Sequence, residues 1–213
     1  MTDQQDEGPP ARVPTREGPL PTLQALGDST AAGVGARAGS YVDRLRARMA
    51  RAGRSLRLVN LGQSGATTGE VLTGQVPRMA PGPIGLVVVG VGVNDLTRGV
   101  PPEIFAQRFE AVISAVRERT AAPIVVSNLP DVSLARAVWP DLRPALAARV
   151  DGYNAAIARV ADKHGLSLFD TCAMTRQELP THPEYLSGDG FHPSDQGYQA
   201  WGDGLWRIVR RLP

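Results

Sequence analysis

The segment IGLVVVGVG at positions 84–92 constrains the fold more than any other feature, because it is apolar at successive positions. A strand with one face in water alternates apolar and polar residues, whereas an unbroken apolar run is typical of a strand buried on both faces. Shorter candidate strands are LQALG (23–27), LRLVNLG (56–62), PIVVSNL (123–129) and LSLFD (166–170), of which the last two are also expected to be buried. The sequence therefore predicts five strands, most of them buried.

Segments with helical spacing separate these runs. In PPEIFAQRFEAVISAVRERT (101–120), apolar side chains fall on one helical stripe, formed by Phe105, Phe109, Val112 and Val116. Further helices are predicted at 41–53, at about 145–164 and along 198–212. The last of these carries a stripe of apolar side chains that is expected to face the core. Strands that alternate with helices predict a parallel sheet covered by helices on both faces.

The two parts of the chain differ in composition. Residues 1–21 are rich in proline, glycine and charge, so we expect a flexible tail ahead of one domain at 22–213. The start, MTDQQDEGPP, lacks the basic and apolar stretches of a signal peptide, and no run approaches about 18 apolar residues. We therefore expect a cytoplasmic protein without a transmembrane segment. A net charge of +2 is too small to steer the protein toward nucleic acid.

Polar residues follow four of the five predicted strands. Gly27-Asp28-Ser29 ends the first, and NLGQSG (60–65), GVGVND (90–95) and SNLPD (127–131) end the next three. In an open parallel sheet the carboxyl ends of the strands lie along one edge, where ligands bind. We therefore expect these loops to meet at one site. Taken locally, Ser29 is either a helix cap or a nucleophile.

Three histidines are candidates for a general base. His164 lies at a predicted helix C-terminus and His182 in a loop, and we interpret both as non-catalytic. His192 has Asp189 three residues before it, a spacing at which a carboxylate can orient one ring nitrogen while the other points elsewhere. Asp170, at the end of the fifth predicted strand, is a rival acid.

Four blocks of the sequence, taken together, resemble the SGNH (GDSL-like) hydrolase superfamily. They are GDSTAAG (27–33), NLGQSGATT (60–68), GVND (92–95) and DGFHPSDQGY (189–198), and they occur in the order of that superfamily. The resemblance spans most of residues 23–203. Thr30 stands where the name-giving motif has leucine, at a position expected to pack rather than react.

The resemblance implies a role for each matching residue. Ser29 would be the nucleophile, His192 the base and Asp189 the acid that orients it. The oxyanion hole would combine the backbone amides of Ser29 and Gly62 with the side-chain amide of Asn94, and such donors act where negative charge develops. No cofactor and no metal are expected.

The predicted fold is a three-layer α/β/α domain with a flavodoxin-like, doubly wound parallel sheet of five strands. The predicted function is hydrolysis of a small-molecule ester or thioester, with short acyl groups preferred, through an acyl-enzyme on Ser29. Two alternatives stay open: an O-deacetylase acting on an acetylated carbohydrate, and a non-catalytic binding module. We expect apolar residues of the loop after the fourth strand to wall the acyl pocket, namely Val132, Leu134, Val138, Trp139 and Leu142. The sequence makes no prediction of oligomeric state.

Overall fold

The computed structural model describes residues 18–212, and most of the predicted tail lies outside this range. Within it the five predicted strands are confirmed: Thr22–Gly27 (β1), Arg57–Asn60 (β2), Ile84–Gly90 (β3), Ile124–Ser127 (β4) and Ser167–Phe169 (β5). All neighbouring strands pair in parallel, in the order β2-β1-β3-β4-β5. This is the order of the flavodoxin-like, doubly wound sheet that the sequence predicts.

Eight α-helices are found within residues 18–212. They are Ser29–Ala32 (α1), Tyr41–Arg51 (α2), Thr68–Glu70 (α3), Val93–Thr97 (α4), Pro102–Arg119 (α5), Arg143–Lys163 (α6), Thr171–Glu178 (α7) and Asp195–Val209 (α8). The four longest, α2, α5, α6 and α8, correspond to the helices predicted from apolar stripes. Helix α7 is absent from the sequence prediction, although Asp170 just before it is a recognisable N-cap residue.

Two apolar cores lie on opposite faces of the sheet and make the domain three-layered. One contains residues of α5 and α6, among them Phe105, Phe109 and Tyr153. The other contains residues of α2 and α8, where Tyr41 and Trp201 pack with their ring centroids 5.9 Å apart. The central strands β1, β3 and β4 are buried almost throughout, which explains why their sequences are mostly apolar on both faces.

Strand β1 lies between β2 and β3, so chain segments that leave the carboxyl ends of all three strands come together. Gly27 pairs with Gly90 at the last residue of both β1 and β3. A Cβ atom on Gly27 would overlap the carbonyl oxygen of Gly90, so the two strands can end this close together only because position 27 has no side chain. Within residues 18–212, no helix has the length and apolar character needed to cross a bilayer.

Candidate active site

The segment 27–34, here called the nucleophile turn, connects β1 to the short helix α1. Ser29 is the first residue of α1 and Asp28 is its N-cap. Asp28 Oδ1 accepts hydrogen bonds from the backbone amide and the hydroxyl of Thr30, both at 3.0 Å. Gly33 ends the helix with φ +85°, a conformation that suits glycine. Ser29 is thus fixed by a cap on one side and a glycine stop on the other.

Asp28 is fully buried, and burial is the main reason why its pKa rises to about 6. The two hydrogen bonds from Thr30 oppose this rise, and so does the charge of His192, but they do not cancel it. The carboxyl beside the candidate nucleophile is therefore held in conditions that disfavour its charged form.

The segment 187–193, here called the acid–base loop, carries His192 to Ser29. His192 Nε2 lies 3.0 Å from Ser29 Oγ, and His192 Nδ1 lies 2.6 Å from Asp189 Oδ2. The loop is closed on itself, because the Ser187 amide donates to the His192 carbonyl at 2.8 Å and Leu186 pairs with Pro193 as a β-bridge. The structure thus brings together the serine, the histidine and the aspartate that the sequence singles out.

Asp189 is held in its charged form by hydrogen bonds from its own loop. Its Oδ1 accepts from the Ser187 hydroxyl at 2.8 Å, the Phe191 amide at 2.8 Å and the His192 amide at 2.9 Å. Partial burial alone raises the pKa of this carboxyl, but the hydrogen bonds, above all the one with His192, outweigh it and hold the pKa well below its usual range. A carboxylate held this way fixes the orientation of the imidazole.

The rival acid, Asp170, serves another purpose. Its Oδ1 caps α7 by accepting from the Ala173 amide at 2.9 Å, and it also accepts from Asn128 Nδ2 at 2.7 Å. The histidine that contacts Asp189 is therefore not shared with Asp170.

The other two histidines lie where the sequence interpretation expects, away from Ser29. His164 Nε2 is 3.4 Å from a carboxylate oxygen of Glu110, and His182 Nδ1 is 2.9 Å from one of Glu184.

Asn94 and Gly62 contribute to the same edge of the sheet in different ways. Asn94, in the second position of α4, donates one Nδ2 hydrogen to the Ala66 carbonyl at 3.0 Å. An amide nitrogen carries two hydrogens, so the second is left for another acceptor. The Gly62 amide donates to Asn60 Oδ1 at 3.0 Å. The geometry thus does not support the prediction that Gly62 is an oxyanion donor, because an asparagine turn already uses its hydrogen.

A mainly apolar cleft opens next to Ser29 and His192. Its walls come from the loop after β4, from α7 and from the segment before the acid–base loop, and they include Val93, Pro130, Val132, Ala135, Met174, Leu179, Leu186 and Phe191. The expectation for the loop after β4 is thus correct for Val132. Val138, Trp139 and Leu142 line a separate groove instead, where the Trp139 side chain is 76% exposed. Met174 and Leu179 were not predicted to line the cleft, because their positions depend on α7, which no apolar stripe in the sequence indicates.

Comparisons with known proteins find both a family match and solved structures of similar fold. The sequence model of the GDSL-like lipase/acylhydrolase family matches residues 25–200. Among solved structures, the α/β hydrolase LAE5 from the metagenome of Lake Arreo, Spain, is 26% identical with a TM-score of 0.72, over 91% of this chain and 96% of that one.

Two further solved structures show the same fold. The lipase/acylhydrolase from Enterococcus faecalis is 24% identical with a TM-score of 0.71, over 91% of this chain and 98% of that one. The family 3 carbohydrate esterase from Clostridium thermocellum is 18% identical with a TM-score of 0.71, over 89% and 94%. No curated protein matches the chain.

Proposed function

Because the chain belongs to the GDSL-like lipase/acylhydrolase family, and is therefore a hydrolase of ester bonds, we propose that it acts through an acyl-enzyme on Ser29. The observation that carries the proposal is the continuous chain of contacts from Ser29 Oγ through His192 to Asp189, at 3.0 and 2.6 Å. A non-catalytic role for the fold does not agree with this family membership.

The chain of contacts supports two successive acyl transfers. Ser29 Oγ attacks the ester carbonyl carbon while its proton passes to His192 Nε2, and a tetrahedral oxyanion forms. His192 then gives this proton to the leaving alcohol as the carbon–oxygen bond breaks, and the acyl group stays on Ser29. Water repeats the sequence to release the acid. Asp189 keeps Nδ1 protonated, so that Nε2 is the nitrogen that accepts the serine proton.

Three donors are available for the oxyanion. The backbone amide of Ser29 lies at the start of α1, and Asn94 has a second Nδ2 hydrogen. We assign the third donor to Gly65 in place of Gly62, because its amide donates to no acceptor within residues 18–212. Gly65 has φ +81° and directly precedes Ala66, the residue whose carbonyl accepts from Asn94 Nδ2. This hydrogen bond brings the Asn94 side chain next to the Gly65–Ala66 backbone.

The apolar cleft favours an ester with a short acyl group. Its lining is dominated by side chains such as Val132, Met174 and Leu186, and none of the described segments forms a long apolar insertion over it. A second candidate function is removal of O-acetyl groups from a carbohydrate, which would use the same triad. The solved carbohydrate esterase with this fold makes that class worth testing.

The direct test is covalent labelling. A fluorophosphonate or sulfonyl fluoride should add once to the protein, and peptide mass analysis should place the adduct on the peptide that contains Ser29. Ser29→Ala should neither take the label nor hydrolyse p-nitrophenyl acetate. Labelling at another serine, or turnover by Ser29→Ala, would contradict the proposal.

Substrate class is then settled by direct comparison of esters. p-Nitrophenyl esters from acetate to palmitate and an acetylated xylose should be assayed with the same enzyme. We expect kcat/KM to be highest between acetyl and about hexanoyl. A preference for the sugar acetate over all aryl esters would favour the second candidate.

A further inference from the structure

A second, smaller pocket lies behind the nucleophile turn. It shares part of its wall with the apolar cleft, through Thr30, Val93, Pro130 and Trp201. Beyond that shared wall, its lining includes the buried polar side chain of Asn128 and three others, Asp28, Tyr41 and Ser127. The mechanism proposed above uses none of these three.

Two of these side chains have no hydrogen-bond partner. Tyr41 is 1% and Ser127 is 5% exposed, and Tyr41 Oη and Ser127 Oγ are two of only three buried side-chain polar atoms without a partner within residues 18–212. Buried hydroxyls are nearly always paired, because leaving one unpaired forfeits its hydration without replacement. Two such groups in one pocket can therefore share hydrogen bonds with one further oxygen placed between them.

Gly90 makes room for both hydroxyls at the end of β3. A Cβ atom on Gly90 would lie 2.9 Å from Tyr41 Oη and 3.8 Å from Ser127 Oγ. The two hydroxyls therefore lie close to the same point beside the Gly90 backbone, which has no side chain of its own to fill the space.

The remaining polar groups leave little choice of ligand. Asn128 also lines the pocket; its side chain is bonded to Asp170, Thr171 and Cys172, and one Nδ2 hydrogen is left as a further uncharged donor. Tyrosine and serine hydroxyls carry no charge, and both donate and accept. The buried Asp28 carboxyl in the same lining makes the pocket unfavourable for an anion. A pocket lined by such groups suits a neutral hydroxyl better than an anion or a cation.

Resting on the proposed function, we propose that this pocket, here called the hydroxyl subsite, binds a hydroxyl of the substrate acyl group on carbon 2 or 3. Thr30 and Val93, which line it, are the direct neighbours of Ser29 and Asn94, so the subsite lies near the reacting carbonyl. His192 lines the cleft but not the subsite, and the leaving alcohol must be within its reach. The subsite therefore belongs to the acyl side of the ester.

The test compares p-nitrophenyl butyrate with p-nitrophenyl 2-hydroxybutyrate and both enantiomers of p-nitrophenyl 3-hydroxybutyrate. The readout is the ratio of kcat/KM for each hydroxyester to that for butyrate, which cancels general effects on catalysis. Tyr41→Phe and Ser127→Ala should each lower this ratio about three- to tenfold for the preferred hydroxyester, the loss of one hydrogen bond.

Tyr198→Phe is the matched control. The Tyr198 ring lies against that of Tyr41, with centroids 6.5 Å apart, but its hydroxyl is bonded to the Val34 carbonyl at 2.8 Å and does not line the subsite. This variant should lose stability and keep the ratio. Tyr41→Phe and Ser127→Ala, by contrast, remove hydroxyls without protein partners, and we expect both to fold with a melting temperature close to that of the wild type.

A binding measurement separates this proposal from the proposed function. Ethyl 3-hydroxybutyrate should raise the melting temperature of Ser29→Ala more than ethyl butyrate does, and Tyr41→Phe in the same background should remove the difference. An unchanged ratio in both subsite variants, together with equal thermal shifts, would mean that the pocket holds only an ordered water and would overturn the proposal. Hydroxyl-dependent binding without hydrolysis would support the subsite and contradict the catalytic assignment.

Discussion

The nucleophile turn and the acid–base loop each place an aspartate beside a member of the proposed triad. The pKa values of these two carboxyls are shifted in opposite directions. Asp28 precedes Ser29, is fully buried and has a pKa of about 6. Asp189 bonds to His192, is largely exposed and has a pKa well below its usual range. Sequence position next to the site therefore does not define the role of an acid.

The difference comes from hydrogen-bond donors. Asp28 receives both of its hydrogen bonds from one residue, Thr30, whereas Asp189 receives four from the backbone and side chains of its own loop. A carboxylate surrounded by donors stays charged and can orient a histidine. A buried carboxyl with few donors instead acts as a helix cap.

The largest effect should come from removing the charge in the acid–base loop. Asp189→Asn should lower kcat on the order of 10⁴-fold, as the equivalent change does in serine proteases, because the imidazole loses the partner that fixes its tautomer. Asp170→Asn is the control, since Asp170 is bonded to Asn128 and Ala173. Steady-state kinetics on p-nitrophenyl acetate measure both. If Asp170→Asn were the inactive variant, the roles of the two acids would be reversed.

An intermediate effect is expected between the two regions, at the turn after β3. Asn94→Ala should lower kcat by about 10²–10³ with KM little changed, because its amide donates more strongly to the oxyanion than to the ground-state carbonyl. Asn94 also donates to the Ala66 carbonyl, so thermal unfolding must be measured beside kinetics. A large loss of stability with near-normal kcat would show that Asn94 only supports the turn.

The effects of Asp28→Asn and Asp189→Asn on stability should be smaller, and they should have opposite signs. The pKa of Asp28 is raised from 3.8 to about 6, so the folded protein holds this proton more tightly than the unfolded chain. Stability is therefore lost as the pH rises from about 4 to about 6, by up to about 3 kcal/mol at about 1.4 kcal/mol per pKa unit. Asp28→Asn, which can still accept from Thr30, should remove this loss and raise the melting temperature at pH 7.5 by about 5 °C.

Asp189→Asn should do the reverse. The lowered pKa of Asp189 means that its stabilising contribution is fully present above the unfolded pKa of 3.8 and is lost progressively as the pH falls from there toward the folded pKa. The melting temperature of Asp189→Asn at pH 7.5 should fall below that of the wild type, and the gap should narrow as the pH falls to 3. Scanning calorimetry of both variants at pH 3, 4.5, 6 and 7.5 measures this. Shifts of the same sign for the two variants would contradict the comparison.

No effect is expected from chelators. Within residues 18–212 there is no group of three or more histidine, cysteine or carboxylate side chains placed to hold a metal ion, and Asp28 and Asp189 are both bonded within the protein. Activity on p-nitrophenyl acetate should survive EDTA followed by dialysis. Loss of activity that one added divalent metal restores would require a mechanism other than the triad.

The sequence alone determined the framework of this protein and the order of its candidate site residues. Unbroken apolar runs require strands buried on both faces, and the stripes of α2, α5, α6 and α8 require cores on the two sides of the sheet. Ser29, Asp189 and His192 each lie in a short motif, but it is the order of the four motif blocks along the chain that singles them out, because the local pattern at Ser29 also fits a helix cap. Apolar runs, helical stripes and the order of motifs can all be read along the chain without its tertiary structure.

Only the tertiary structure decided which hydrogen bonds are already used and which polar groups lack one. The Gly62 amide donates to Asn60 Oδ1, a contact that the pattern Asn-x-Gly could have suggested. The Gly65 amide has no acceptor among the described residues. The pocket beside Gly90 exists because α2 brings Tyr41 onto the end of β3 while β4 brings Ser127 there. Such encounters depend on how distant segments pack, and no local pattern encodes them.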